Sequence, residues 1–252
     1  MTYCCGILVR EGLVMIADTR TNAGLDDVST FRKLHVYSNP GERLISVMSA
    51  GNLSITQSVL TLATEGLEHP ETREVETLAN TPSLFRAAQL LGRAIRKTFD
   101  VEGAALEAAG VAFKITLLVG GQIRGDRMRL FMVYGAGNFI ECTPDAPFLQ
   151  IGEHKYGKPI LDRAVHYDTE LYDALKIGLI SMDSTMRSNL GVGLPIDILV
   201  QRRDAQIAEL TRRIDERDEY FANLRESWSS ALRAAHIAIP RPPYGDPAKP
   251  SP

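Results

Sequence analysis

The chain has 252 residues, of which 44% are apolar and 23% are charged. That length allows one or two domains, and the composition excludes a disordered or fibrous chain. Lys and Arg number 28 against 31 Asp and Glu, for a net charge of −3 and no basic block, so nucleic acid is excluded as an expected partner.

The cysteines and the N-terminal segment predict a cytoplasmic protein. Cys4 and Cys5 are adjacent and Cys142 is far away, so the three cannot build a disulfide framework. Free thiols are typical of a reducing compartment. No apolar run approaches the roughly 20 residues of a membrane span, and the N-terminal apolar stretch ends at Arg10, too early for a secretory signal. We therefore expect no membrane partner.

The first half of the chain predicts four strands and then two helices. Residues 2–9, 13–18, 32–37 and 43–50 are apolar or β-branched runs separated by turn residues, and are predicted as strands. From Gly51 to Leu67 the apolar residues follow a helical period. The same period recurs at 82–99, where Pro82 suits a first helical turn.

The second half repeats this alternation. Strands are predicted at 112–119 and 128–134, with short ones near Phe139 and Phe148. Helical patterns follow at about 155–165 and 169–187, and a strand at 194–201. This order predicts a layered α+β fold in one domain, residues 1–201.

The segment 202–236 predicts a long C-terminal helix. Its apolar residues fall on a heptad seam that only Arg217 interrupts. They are Ile207, Leu210, Ile214, Phe221, Leu224 and Trp228. Two interpretations stay open, a helix packed on its own domain and a helix docked on a neighbouring subunit. Residues 237–252 are expected to form a disordered proline-rich tail, because six of the 13 prolines lie in the last 13 residues.

Familiar cofactor, metal and ATPase motifs are absent from the sequence. Gly135-Ala136-Gly137 lacks the third glycine and the following helix of a dinucleotide site. The five histidines show no metal-ligand spacing, and no P-loop is found. The sequence therefore predicts neither a cofactor nor a metal.

Thr2 is the strongest candidate for a catalytic residue. Removal of Met1 would give Thr2 a free α-amine beside its hydroxyl, so that one residue supplies both the nucleophile and the general base. The reference pKa of an α-amine, about 7.7 to 8.0, needs only a modest depression by a nearby cation to leave the amine neutral.

Three further features are predicted to lie near Thr2. A hairpin of the first two strands with a three-residue turn would place Asp18 opposite Cys4 and within about 7–8 Å of Thr2. Lys33 begins the next strand, and a pair with Asp18 would keep it protonated. Ser49-Ala50-Gly51 leads into a helix, and N–H groups at a helix start can bind an oxyanion.

Four short stretches carry a family resemblance. They are Thr2, Ala17-Asp18-Thr19-Arg20, Phe31-Arg32-Lys33 and Ser49-Ala50-Gly51-Asn52. Together they resemble the pattern of the proteasome β-subunits and HslV, which are N-terminal nucleophile hydrolases. Residues 18–24 and 29–33 look like the bacterial proteasome-related family called Anbu. The similarity extends to about residue 236, and an extended C-terminal helix also suits Anbu.

The resemblance implies a fold and a catalytic set. The fold is a four-layer αββα sandwich, in which two antiparallel sheets lie between helix layers. Thr2 is implied as the nucleophile, Asp18 and Lys33 as the charge pair that tunes it, and the Gly51 N–H as the oxyanion donor.

The resemblance also implies how a substrate would bind. Its backbone would add as a strand along Thr21-Asn22 and along Ser49-Ala50-Gly51. Ser49 would lie at the base of the first specificity pocket, with Phe31, His35 and Leu53 near its walls.

The C-terminal half departs from the proteasome pattern. Gly152 is followed by Glu153 where β-subunits carry a serine. Ser188 and Gly191 stand where those subunits have an Asp and, three residues on, a Ser, and this position implies Ser188 as a further member of the catalytic set. A shifted alignment would bring in Asp183 instead of Ser188. These substitutions alter the groups that would support Thr2.

Three functions remain open. The first is a threonine-dependent peptidase acting in a homo-oligomer, a ring or an open helix, with contacts from the helix near Trp228. The second is an amidase for small non-peptide amides. The third is a weakly active or non-catalytic assembly protein, which retention of Met1 would favour because the amine would be blocked. Any unfoldase would be a separate partner.

Overall fold

The computed structural model describes residues 1–22 and 28–244. Its strands are β1 (Tyr3–Val9), β2 (Gly12–Asp18), β3 (Arg20–Asn22), β4 (Val28–Thr30), β5 (Leu34–Asn39), β6 (Arg43–Gly51), β7 (Leu67–Glu68), β8 (Val75–Glu76), β9 (Ile115–Ile123), β10 (Arg129–Val133), β11 (Phe139–Glu141), β12 (Phe148–Gly152), β13 (Ile196–Arg202) and β14 (Leu210–Ile214). Its helices are α1 (Leu53–Glu65), α2 (Leu84–Ala108), α3 (Lys158–Ala164), α4 (Leu171–Ser188) and α5 (Glu219–Ala238). The predicted α+β class is confirmed, whereas the short hairpins β3–β4 and β7–β8 were not predicted.

The first sheet has the strand order β12-β1-β2-β13-β14. The predicted register of its first hairpin is wrong by one residue, because Cys4 lies opposite Ala17 and not opposite Asp18. The cause is the turn: Val9 pairs with Gly12, so the loop has two residues instead of three. The predicted pairing would have put the Asp18 side chain on the same face of the sheet as Thr2, and a shift of one residue moves it to the other face.

The second sheet has the order β11-β10-β9-β6-β5. Helices α1 and α2 pack on one of its faces, and α2 continues to Ala108, beyond its predicted end at Phe99. The buried residues of this layer include Ile45, Val59, Leu91, Ile95, Leu117, Val119 and Phe131. Side chains of the two sheets form another core, which includes Met15, Ala17, Met48, Leu118 and Leu130.

Helix α4 packs against the first sheet at β1 and β2. Gly178 permits this approach, because a Cβ at that position would lie 2.5 Å from the Ile16 Cδ1 atom. Ile196, the first residue of β13, pairs with Asp18, the last residue of β2. The start of β1, the end of β2 and the start of β13 therefore lie at the same end of the sheet.

The chain divides into two compact units, Met1–Glu216 and Arg217–Pro252. The prediction of one helix over 202–236 is wrong for its first part, because Leu210–Ile214 is a strand that pairs with β13. Leu210 and Ile214 are four residues apart, and that spacing satisfies both a helical stripe and the two-residue alternation of a strand. Spacing alone could not separate the two structures. Because β14 belongs to the first unit, that unit extends to Glu216, beyond the predicted domain end at residue 201.

The second unit contains helix α5. The Asp218 side chain caps the helix by accepting a hydrogen bond from the Phe221 N–H at 2.9 Å. The helix ends at Ala238, just inside the predicted proline-rich tail, and residues 245–252 of that tail lie outside the described residues. Within residues 1–22 and 28–244, no helix is both long and apolar enough to span a bilayer.

Candidate active site

Asp18 and Lys33 form a buried ion pair. The Lys33 Nζ atom lies 2.8 Å from the Asp18 Oδ1 atom, and both side chains are almost fully excluded from solvent. The same ammonium group donates to the Arg20 carbonyl at 2.7 Å and to the Met1 carbonyl at 3.5 Å. Each of the three N–H donors of the ammonium group therefore has an acceptor, and the Lys33 side chain is held next to the Met1–Thr2 peptide bond.

The surroundings of Asp18 pull its pKa in two directions. Burial raises the pKa of the carboxyl above its ordinary value, while the charge of Lys33 and the N–H groups of Tyr3 and Gly193 lower it. The Tyr3 N–H donates to Oδ1 at 3.0 Å. Among the described residues, Oδ2 is buried without a hydrogen-bond partner. The Oδ1 atom of Asp18 thus accepts from both Lys33 and the first residue of β1.

Thr2 is half-buried and is fixed through its backbone. Its carbonyl accepts a hydrogen bond from the Glu153 N–H at 2.7 Å. Gly152 makes this approach possible: it has φ +81°, and a Cβ there would lie 2.0 Å from the Thr2 carbonyl oxygen. Met1 is 65% exposed, so a processing enzyme can reach it. Its removal would place a new α-amine beside the pair of Lys33 and Asp18.

The predicted oxyanion segment is held next to Lys33. The Ser49 N–H donates to the Lys33 carbonyl at 3.2 Å, and both Ser49 and Ala50 are buried. Gly51 is exposed at the end of β6 with φ +128°, and a Cβ there would lie 2.1 Å from the Lys114 carbonyl oxygen. Only glycine fits this backbone without strain. The oxyanion role of its N–H stays a prediction.

The predicted substrate strand is only partly described. Thr21 lies opposite Ser29 in the β3–β4 hairpin. The backbone of Asn22 ends β3, whereas its side chain lies outside the described residues, as do residues 23 and 24 of the stretch that carried the family resemblance. The binding role of Thr21 and Asn22 stays a prediction.

Two cavities flank the ends of the sheets. One of about 440 Å³ is lined by His35, a predicted pocket wall, together with Arg32, Asp197 and Arg213. Burial and the charge of Arg32 lower the pKa of His35. A larger groove of about 1110 Å³ runs along β12 and reaches Gly152. The grouping of Ser49, Phe31, His35 and Leu53 in one specificity pocket stays a prediction.

The structure brings an unpredicted residue, Asn189, to the site. Its amide group donates to the Glu153 Oε2 atom at 3.2 Å, and its oxygen accepts from the Gly191 N–H at 2.9 Å. Ser188 is exposed at the end of α4, and Asp183 is buried in an ion pair with Arg187. Asn is favoured where a helix ends and a turn begins, so the sequence could have indicated that α4 ends at Asn189, although not that this residue belongs to the site.

Buried hydrogen bonds anchor the first residue of β1. The Tyr3 hydroxyl lies 2.6 Å from the Ser181 Oγ atom and also bonds with Gln150. Ser181 donates in turn to the Gly157 carbonyl at 2.9 Å. These contacts, which the sequence did not reveal, fix the strand that begins directly after Thr2.

The neighbouring cysteines do not compete with Thr2 as nucleophiles. Cys4 and Cys5 are buried and free of disulfides. Burial raises the pKa of Cys4 well above its ordinary value and that of Cys5 to about 12, so neither forms a thiolate at neutral pH. Among the described residues, no group of three His, Cys, Asp or Glu side chains could hold a metal ion.

Three solved structures show what this chain resembles. An Anbu (Gly-1) mutant from Hyphomicrobium sp. strain MC1 is 46% identical, with a TM-score of 0.87 over 96% of this chain and 99% of its own. Anbu (ancestral beta-subunit) from Yersinia bercovieri is 44% identical, with a TM-score of 0.87 over 96% and 100% of the two chains. The helical assembly of the Anbu complex from Pseudomonas aeruginosa is 44% identical, with a TM-score of 0.88 over 96% of this chain and 98% of its own. No protein-family model and no curated protein matches the chain.

Proposed function

This chain belongs to the Anbu family of proteasome-related proteins, and on that premise we propose that it is a threonine-dependent hydrolase of peptide amides. The observation that carries the proposal is the buried ion pair of Lys33 and Asp18 against the Met1–Thr2 peptide bond. A buried charge pair is costly to desolvate, so its place beside the only residue that could become an N-terminal threonine favours a catalytic use. The proposal includes the four-layer αββα sandwich, which the packing of helices on both sheets supports.

Removal of Met1 activates the site. The exposed methionine leaves, and Thr2 gains an α-amine in place of its peptide nitrogen. The positive charge of Lys33 lowers the pKa of this amine, which keeps a fraction of it neutral near pH 7. Asp18 holds the ammonium group of Lys33 in place.

Catalysis proceeds by acyl transfer to Thr2. The amine accepts the hydroxyl proton as the Thr2 Oγ atom forms a bond with the carbonyl carbon of the substrate. The Gly51 N–H stabilises the resulting oxyanion. The carbon–nitrogen bond then breaks, the amine returns the proton to the leaving nitrogen, and an ester on Thr2 remains. Water, deprotonated by the same amine, cleaves that ester and regenerates Thr2.

The substrate is an extended peptide. It adds as a strand along Thr21-Asn22 on one side and Ser49-Ala50-Gly51 on the other, so that main-chain hydrogen bonds hold the scissile bond over Thr2. The exposed backbone of Gly51, at the end of β6, supports this placement.

The protein acts as a homo-oligomer in the cytoplasm. A related Anbu complex forms a helical assembly, which supports self-association of this chain. The exposed Leu232 and Ile237 of helix α5 supply apolar surface for such contacts. The cytoplasmic location is supported by three cysteines without disulfides. A monomer in light scattering at micromolar concentration would contradict the assembly.

One observation favours a non-catalytic assembly protein as the second candidate. Ser188 is exposed, and Glu153 and Gly191 occupy the other positions at which proteasome β-subunits carry supporting side chains. An amidase for small non-peptide amides shares the chemistry of Thr2, and a panel of small amides assayed beside peptides separates it from a peptidase.

Turnover of fluorogenic peptides by matched variants tests the proposal. Thr2→Ala removes the hydroxyl and should abolish hydrolysis, with a loss of at least about 100-fold. Thr2→Ser keeps a hydroxyl and an amine at the same place, so it should retain measurable turnover. Equal turnover by the wild type and Thr2→Ala, at equal purity and oligomeric state, would end the proposal.

A further inference from the structure

Glu153 and Asn189 form a polar clamp over the N-terminus that no catalytic step above uses. The clamp consists of the Glu153 carboxylate, the Asn189 amide and the Gly191 N–H. Glu153 follows β12, while Asn189 and Gly191 follow α4. Asn189 joins the two sides, because its nitrogen donates to the carboxylate at 3.2 Å and its oxygen accepts from the Gly191 N–H.

The clamp lies next to the Met1–Thr2 peptide bond, which processing would break. The Glu153 N–H donates to the Thr2 carbonyl at 2.7 Å, which fixes the Glu153 backbone next to the residue that would carry the new amine. On the other side, a Cβ on Gly191 would lie 2.7 Å from the Met1 Cβ atom, so Met1 rests directly on the Gly191 backbone. Loss of Met1 therefore opens a space beside the Gly191 backbone, which Asn189 links to the Glu153 carboxylate.

Four charged side chains make contacts near the N-terminus, namely those of Lys33, Asp18, Arg20 and Glu153. Lys33 and Asp18 neutralise each other in the buried pair. The guanidinium group of Arg20 donates to the Leu190 carbonyl at 3.1 Å, and lies close enough to Gly193 to collide with a Cβ there. Glu153 contributes a carboxylate whose hydrogen bond comes from the neutral Asn189, so its charge is not balanced by that contact.

We propose that Glu153, held by Asn189, is a positioning residue that binds the protonated α-amine of Thr2 and raises the pH at which this amine becomes a base. A carboxylate near an ammonium group favours the charged form, in opposition to Lys33. The clamp thus restrains hydrolysis at neutral pH and releases it at alkaline pH. This inference rests on the proposed function, because it concerns the same amine.

The pKa of the Thr2 amine can be measured without any turnover. The full chain is released from a ubiquitin fusion so that Thr2 is the first residue, and acetylation by a trace of N-hydroxysuccinimide acetate is followed from about pH 5.5 to 9.5 by mass spectrometry. Glu153→Gln should lower the apparent pKa by about 0.5–1 unit, which makes acetylation at pH 6.5 about 3- to 10-fold faster. Glu153→Asp keeps the charge and should stay close to the wild type.

Glu65→Gln is the matched control, because it removes one exposed carboxylate at the end of α1 and should leave the pKa unchanged. An unchanged pKa in Glu153→Gln would overturn the inference. If that variant fails to fold, Asn189→Ala releases the carboxylate and should shift the pKa in the same direction by about 0.3 unit. An unchanged pKa there would overturn the inference equally. Peptide turnover is scored separately: its absence, with a pKa that still depends on Glu153, counts against the proposed function alone.

Discussion

Two ion pairs, each with an aspartate of the first sheet, have the same chemistry and different surroundings. Asp197 of β13 lies directly opposite Arg213 of β14, and the guanidinium group bonds with both carboxylate oxygens, at 2.7 and 2.8 Å. Asp18 at the end of β2 is more deeply buried, and its Oδ2 atom lacks a partner among the described residues. In the hairpin pair both carboxylate oxygens accept from the cation, whereas in the pair beside Thr2 only the Oδ1 atom of Asp18 accepts from Lys33.

The largest expected effect comes from breaking the buried pair. Lys33→Met leaves the Asp18 carboxylate buried without its counter-ion, so the free energy of unfolding should fall by about 3–5 kcal/mol at pH 7. Peptide turnover should fall at least about 100-fold, because the cation that lowers the pKa of the Thr2 amine is gone. Urea denaturation and turnover on the same samples measure both. A variant as stable and as active as the wild type would contradict the comparison.

The same variant should respond to pH in a defined direction. Burial raises the folded-state pKa of Asp18, so the folded chain holds this proton more tightly than the unfolded chain, and stability falls as pH rises from the ordinary pKa to the raised one. Lys33→Met removes the positive charge that lowers the pKa of Asp18, so the pH range over which stability falls extends to higher pH. The stability difference between wild type and variant should therefore shrink on acidification from about pH 8 to pH 4. A stability difference that stays constant over this pH range would contradict the prediction.

The order of elements and the charge pair were both predictable from the sequence. Asp18 ends the second predicted strand and Lys33 lies in the third, and their contact near Thr2 was expected and is found. The hairpin register failed because one residue more or less in a turn is not visible in apolar spacing. The strand at Leu210–Ile214 was missed because its apolar residues also fit a helix.

Asn189 could not have been assigned to the site from its sequence position. Its contact with Glu153 depends on the packing of α4 against β1 and β2, which brings together residues 36 positions apart. Tyr3 and Ser181 meet for the same reason. Contacts made by tertiary packing alone leave no periodic signal in the sequence.

The smallest effect is expected for the hairpin pair. Asp197→Asn removes a carboxylate that is only 11% exposed, but its partners Arg213 and Arg32 are 39% and 66% exposed, and the amide can still accept one of the two hydrogen bonds from Arg213. The free energy of unfolding should fall by about 1 kcal/mol or less, and peptide turnover should stay within about twofold of the wild type. Urea denaturation at low and high salt measures the free energy of unfolding. A loss as large as that of Lys33→Met would show that the two pairs are equivalent.

The central claim is that Thr2 becomes the N-terminal nucleophile beside Lys33 and Asp18. The most direct test is an intact-mass measurement of the protein from its own host, made after reaction with an N-terminus-specific acylating probe. The account predicts a chain that lacks Met1 and carries one acyl group on Thr2. A chain that retains Met1, with the probe on the methionine amine, would contradict it.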